Sequence, residues 1–204
     1  MLLKYTLAGS INFSVLFAAT GSAAADSLQS IMAEIESNDR LLADYPEVCV
    51  PVRALENTPN RAHYQLVSGR RHDTGEPFKR VPSKFRWCGQ EIYLPAVPGS
   101  PSAGAIIATR GLDSAVRGLN KKDRRPQVAV LDDPDTENSA ASEELAAKLE
   151  KRIDRGIAGL GGQQRTCARV MLTTLQNRIC ASYKFTDPVL KPSWQRRGRS
   201  RGNA

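Results

Sequence analysis

Histidine is almost absent from this chain, with two in 204 residues. That scarcity excludes a His-rich metal centre. The familiar catalytic signatures are missing too: there is no G-x-S-x-G, no phosphate-binding loop and no H-E-x-x-H. No uninterrupted apolar run reaches the roughly 18–20 residues that a membrane-spanning helix requires. Aromatic residues make up only 6%. What remains is an ordinary globular composition, 41% hydrophobic and 25% charged. Its length suits one domain, with room for an appendage. Lys and Arg number 29 against 21 Asp and Glu, a formal net charge of +8 that favours an anionic partner.

The first 25 residues have the order of a secretory leader. Lys4 supplies a short basic region, residues 5–19 are mostly apolar apart from Asn12, and Ser22-Ala23-Ala24-Ala25 offers a small-residue cleavage site before Asp26. The expected division is therefore a signal peptide over 1–25, one folded domain over 26–190 and a disordered basic tail over 191–204. The expected location is secreted, with delivery into a host cell as an option. Asn57-Thr58-Pro59 fails the N-glycosylation pattern, and residues 26–204 contain no other acceptor.

Export would give the cysteines a structural meaning. Cys49, Cys88, Cys167 and Cys180 are even in number, which in an oxidising compartment predicts two disulfides. A metal site is disfavoured, because there is no C-x-x-C pair and neither His63 nor His72 stands at ligand spacing from a cysteine. If residues 163–181 form one unbroken helix, Cys167 and Cys180 lie about 20 Å apart along its axis. They would then pair with Cys49 and Cys88; a break in the helix would permit the local pair.

Helical spacing of Leu28, Ile31, Met32, Ile35, Leu41 and Leu42 predicts a helix over 27–45, with Ser27 as N-cap. Residues 45–52 read as a short extended segment marked by two prolines. Residues 69–83 read as a polar, basic loop. Strands are expected over 85–94, 105–109 and 127–131. Residues 132–142 are acidic and small, the pattern of a linker or exposed loop. A strong helix follows over 142–157, with Leu145, Leu149, Ile153 and Ile157 in one stripe. With the helix over 163–181 it would form a C-terminal hairpin. The tail contains Lys191, Arg196, Arg197, Arg199 and Arg201 and no acid, and so holds most of the net charge.

Ala62-His63-Tyr64-Gln65-Leu66, a polar loop, Val81-Pro82-Ser83-Lys84-Phe85, Glu91-Ile92-Tyr93-Leu94-Pro95 and Gly99-Ser100-Pro101-Ser102-Ala103-Gly104-Ala105-Ile106-Ile107 follow one another in a recognisable order. That order resembles the small secreted guanyl-specific ribonucleases of fungi, over roughly residues 45–119. The resemblance implies an α+β fold, a helix packed on a twisted antiparallel sheet, here carrying the added C-terminal helical hairpin. It also implies a lost active site. Val81 stands at the family's tyrosine, Ser83 at its histidine, Tyr93 at its catalytic glutamate and Ala105 at its arginine. Without base, acid and phosphate-stabilising group, acid–base phosphodiester cleavage has no machinery. Ribonuclease-like proteins without catalysis occur among the secreted effectors of plant-pathogenic fungi such as the powdery mildews. The function implied is a secreted, non-catalytic effector, a monomer without integral membrane association once the leader is cleaved, that binds host RNA or a host protein.

The residues offer a surface for that role. Arg70, Arg71, Lys79, Arg80, Lys84 and Arg86 stand beside Phe78, Phe85, Trp87 and Tyr93. Cations contact phosphates and aromatic faces stack on bases, the combination used for single-stranded RNA. These residues are the RNA-binding candidates, Tyr93 among them; no catalytic residue, metal ligand or cofactor is assigned. Two rival functions stay open: an active secreted ribonuclease using His63 or His72 with a carboxylate such as Glu76 or Glu91, and an exported bacterial envelope protein with no RNA role.

Overall fold

The structure, a computed structural model, describes residues 2–54, 66–70, 75–82, 85–114, 119–121, 123–157, 159–162 and 166–194. In chain order its elements begin with helix α1 (Leu2–Leu7), strand β1 (Phe13–Ala18) and helices α2 (Gly21–Ser37), α3 (Asp39–Asp44) and α4 (Pro46–Arg53). Strands β2 (Leu66–Arg70), β3 (Pro77–Pro82), β4 (Trp87–Cys88), β5 (Glu91–Tyr93), β6 (Ile106–Gly111) and β7 (Val128–Asp132) follow. Then come helices α5 (Glu137–Ala141) and α6 (Glu143–Ile157), strand β8 (Ala168–Leu172), helix α7 (Ala181–Thr186) and a 3₁₀ turn at Pro192–Trp194. Among the described residues no helix is long and apolar enough to cross a membrane.

Strand β1 organises the molecule. All six of its residues are buried, and it pairs in parallel with β6 on one side and β7 on the other. A strand covered on both faces needs apolar residues throughout instead of alternation, and Phe-Ser-Val-Leu-Phe-Ala comes close to that. The sheet runs β4-β5-β6-β1-β7-β8: β8 continues the parallel set, while β5 and β4 add an antiparallel edge. Strands β2 and β3 form a separate antiparallel ribbon.

Each face of this sheet builds its own core, because successive strand side chains alternate. Leu16, Ile92, Ile107 and Val130 pack with Leu28, Met32 and Ile35 of α2 and with Val48, Cys49 and Val52 of α4. Phe13, Val15, Phe17, Ile106, Ala108, Ala129 and Leu131 pack with Leu149, Ile153 and Ile157 of α6 and with Ala181 and Phe185 of α7. The crossovers explain the two layers. The chain leaves β1 for β6 in one direction and β7 for β8 in the other. Two crossovers of the same hand must then lie on opposite faces.

Several expectations change. The resemblance implied an antiparallel sheet, yet β6, β1, β7 and β8 are parallel, so the architecture is a mixed α/β one with helices on both faces. The C-terminal hairpin does not form: within residues 163–181, Ala168–Leu172 is a strand, since Val170 and its neighbours extend the sheet beside β7. The α6 helix is as expected. Helix α2 begins at Gly21 with Thr20 as N-cap, not at Ser27, and Asn38 ends it by capping α3 through Arg40 and Leu41 amides. The segment expected to be extended is α4, where Pro46 occupies a first-turn position that needs no amide. Residues 85–94 form the β4–β5 hairpin instead of one strand, and the basic loop contains the β2–β3 ribbon.

The expected leader is built into this fold. Residues 13–18 are the central strand, and α2 runs unbroken through the expected cleavage point after Ala25. Cleavage there and this sheet are mutually exclusive. The expected tail also begins in structure. Lys191 pairs with Glu150 at 2.7 Å and with Asp154, and Trp194 packs edge-on against Phe185 at 4.9 Å. Residues 195–204 lie outside the described set.

Candidate functional site

The RNA-binding candidates within the described residues fall on two separate sheets. Arg70 lies on β2, and Lys79 and Arg80 on β3, in the separate ribbon. Arg71 and Lys84 lie outside the described residues, as do both histidines, His63 and His72. Arg86 and Tyr93 belong to the antiparallel edge of the main sheet. There Arg86 is committed to a carboxylate: its Nη1 donates to Glu91 Oε1 at 2.6 Å. Glu91 is buried and accepts a second cation, Lys121, at 2.9 Å. Phe85, Trp87 and Tyr93 are core residues, between 4% and 8% exposed, which leaves little ring surface for a base. The Trp87 indole donates to Glu36 at 2.6 Å. Three of the aromatics adjacent to these cations in sequence thus belong to the core.

The four cysteines are free thiols in this structure, against the expectation of two disulfides. Their placement keeps one pair apart. Cys49 belongs to the core under α2 and α4, whereas Cys167 packs on the opposite face of the sheet. Burial pushes the Cys49 and Cys167 thiols up to about 11. Cys88 differs. Burial raises it, but backbone hydrogen bonds at Gln90 and Glu91 and the Arg86 guanidinium outweigh that and bring the thiol below its ordinary value. Cys88 is therefore expected to alkylate first with iodoacetamide. Its rate should rise with pH through a midpoint below 9.0. Peptide mapping by mass spectrometry reads the order. Labelling of all four thiols after unfolding without reductant confirms the free state.

The sheet topology points to a different site. The chain steps from β1 outward to β6, and later from β7 outward to β8, so the connections diverge between β1 and β7. In an open α/β sheet the loops at such a divergence part and leave a crevice beyond the carboxyl ends of the strands. A cavity of about 270 Å³ lies there. Ala19 and Thr20 line it from the β1–α2 turn, and Leu112 and Asp113 from the end of β6. The β7–α5 segment gives Pro134, Thr136, Asn138 and Ser139, and α6 gives Leu145, Lys148, Leu149 and Arg152.

Each wall is held in place. Thr20 caps α2, accepting from the Ala23 amide at 3.2 Å. Arg152 Nη1 donates to the Leu112 carbonyl, fastening α6 over the end of β6. Thr136 and Ser139 form a reciprocal capping box on α5. The acidic stretch expected to be a linker is the scaffold of the third wall. Asp132 accepts from Ser27 of α2 at 3.1 Å, and Asp133 from the Thr174 amide at 3.0 Å. Buried Asp135 accepts from the Ala181 and Ser182 amides at 3.0 and 2.8 Å, capping α7. Three successive carboxylates therefore tie this loop to three other parts of the fold.

Gly111 sets the tightest contact. A Cβ there would stand 2.1 Å from Asp113 Oδ1, 2.3 Å from the Gly21 nitrogen and 2.7 Å from the Thr20 carbonyl carbon. Only glycine lets the end of β6 approach the β1–α2 turn this closely. Asp113 Oδ1 thereby lies close to the first amide of α2. None of Thr20, Gly111, Asp113 and Lys148 stood out in the sequence. The available signal was Ala-Ala-Thr-Gly at the end of an apolar run and before an alanine-rich helix, which is also the pattern of a strand-to-helix turn. No family model, no curated protein and no solved structure matches this chain.

Proposed function

We propose that this protein is a binding module whose crevice at the ends of β1, β6 and β7 holds a small molecule bearing an anionic group. The observation that carries the reading is the position of the cavity: it lies where the sheet topology diverges, with the cations Lys148 and Arg152 along one wall. Both sit on the same face of α6, four residues apart. Hydroxyls of Thr20, Thr136 and Ser139 and the Asn138 amide add hydrogen-bonding groups, while Leu112, Leu145 and Leu149 supply apolar surface. That mixture is typical of small-ligand sites. The reading needs residues 2–25 in place, since Ala19 and Thr20 form part of the wall. Titration of the full chain with inorganic phosphate, citrate and AMP, followed by amide chemical shifts, tests it. Shifts are expected at Thr20, Asp113, Thr136 and α6, and Arg152→Gln should weaken binding by about tenfold or more. The reading falls if neither these anions nor any small carboxylate, free or zwitterionic, shifts the crevice.

One observation favours nucleic acid as a second reading. Arg70, Lys79 and Arg80 share the β2–β3 ribbon, which stands apart from the six-stranded sheet. A two-stranded basic ribbon can follow a phosphate backbone, and affinity should then fall linearly in log–log form with salt. RNA binding that survives Lys79→Ala with Arg80→Ala unchanged would rule the ribbon out. The secreted effector role remains attached to this second reading alone.

A further inference from the structure

The crevice contains one carboxylate as well as its two cations, and the placement of that carboxylate narrows the ligand. The amino end of a long helix carries partial positive charge and would ordinarily attract the ligand's anion. Here the missing side chain of Gly111 lets Asp113 Oδ1 and the Gly21 nitrogen lie close to the same point, so an exposed carboxylate stands beside the first amide of α2. A phosphate approaching that turn would meet like charge. The other wall is cationic. Arg152 is oriented by the Leu112 carbonyl, which takes one donor of its guanidinium fork. Lys148 pairs with Glu144 at 2.7 Å, but both side chains are largely exposed, and such surface pairs exchange readily. The site is therefore bipolar, with negative charge beside β6 and positive charge on α6, and Leu145 and Leu149 also line the α6 wall. Its volume of about 270 Å³ is below the range of pockets that hold drug-sized ligands.

We propose that the crevice takes a small zwitterion of the amino-acid type, its ammonium on Asp113 and its carboxylate on Arg152 and Lys148. This inference rests on the crevice being a ligand site and specifies its occupant. The apolar wall makes an aliphatic side chain the natural third contact, so L-leucine is the first probe. Its deaminated and decarboxylated analogues, 4-methylpentanoate and 3-methylbutylamine, each lack one pole.

Titration of the full chain, followed by amide shifts, should show L-leucine acting at Thr20, Asp113 and Arg152. Each analogue should bind at least about tenfold more weakly. Asp113→Asn should lower leucine affinity to that of 4-methylpentanoate and leave 4-methylpentanoate binding no weaker. A melting temperature close to wild type shows that this variant is folded. Asp113→Glu should restore part of the preference. Binding of 4-methylpentanoate as tight as leucine, or leucine binding indifferent to Asp113→Asn, would overturn the zwitterion while leaving an anion site in the crevice. So would a crevice that responds to AMP or phosphate and not to leucine. If neither leucine nor any anion shifts the crevice residues, both this inference and the binding reading fall.

Discussion

A chain that begins at Asp26 will not form this sheet. Deleting residues 2–25 removes β1, and with it the strand that pairs both β6 and β7. The remaining strands cannot simply close the gap, because β6 and β7 would have to exchange an entire parallel register. Three side chains buried to within 1% of full coverage leave at once, Phe13, Val15 and Phe17. Truncating one buried Phe typically costs about 3–5 kcal/mol, against a total stability of about 5–15 kcal/mol for a domain. The expected result is loss of the cooperative melt and strong binding of a hydrophobic dye, compared with a sharp transition for the full chain. Phe17→Asp makes the same point without shortening the chain, since it buries a charge among Val15, Ala129 and Leu131 on the α6 face. A cooperative, native-like truncated chain would instead mean that residues 26–194 adopt another arrangement, and that the leader reading of the sequence describes the folded protein.

The ambiguity behind that experiment is physical. A secretory leader and a central parallel strand both need a short apolar run followed by small residues, one for a peptidase and the other for a tight strand-to-helix turn. Ala24, inside the expected cleavage site, is fully buried against the sheet. By contrast, the α6 helix was legible because its stripe of Leu149, Ile153 and Ile157 faces one core and its other side is charged. The apolar stretches that open β6 and β7 were legible as strands for their β-branched content. Strand β8 was not, because Val170, Met171 and Leu175 fit helical spacing as well as an edge strand, and only pairing with β7 decides between them. The crevice was invisible for a different reason. Its residues come from the ends of β1, β6 and β7 and from α6, so they converge only once the strand order is known. Charge counting favoured the segment 70–86 instead, where cations and aromatics are neighbours in the chain.

Gly111→Ala should damage both the fold and the crevice, and its spatial neighbour gives the control. The added methyl would meet the Gly21 nitrogen at 2.3 Å and the Thr20 carbonyl carbon at 2.7 Å, both backbone atoms that cannot rotate away. The end of β6 must therefore shift from the β1–α2 turn, and Asp113, two residues on, must shift with it. Overpacking of this kind costs about 1–3 kcal/mol, and the upper part of that range is expected, since the struck atoms belong to one rigid peptide unit. Gly21→Ala places the same methyl on the opposite partner of the contact, where nothing lies within 4 Å. At the first position of α2 it should be neutral or stabilise by up to about 1 kcal/mol, through helix propensity. Urea denaturation of the two variants separates a packing constraint from a general intolerance of the turn. The pair also tests the crevice independently of any ligand's identity. Gly111→Ala should disturb the amide shifts of Thr20, Asp113 and Leu112 together, whereas Gly21→Ala should leave Asp113 unmoved. Equal stability of the two variants would show that β6 does not make this close approach, and the bipolar arrangement built on Asp113 would lose its basis.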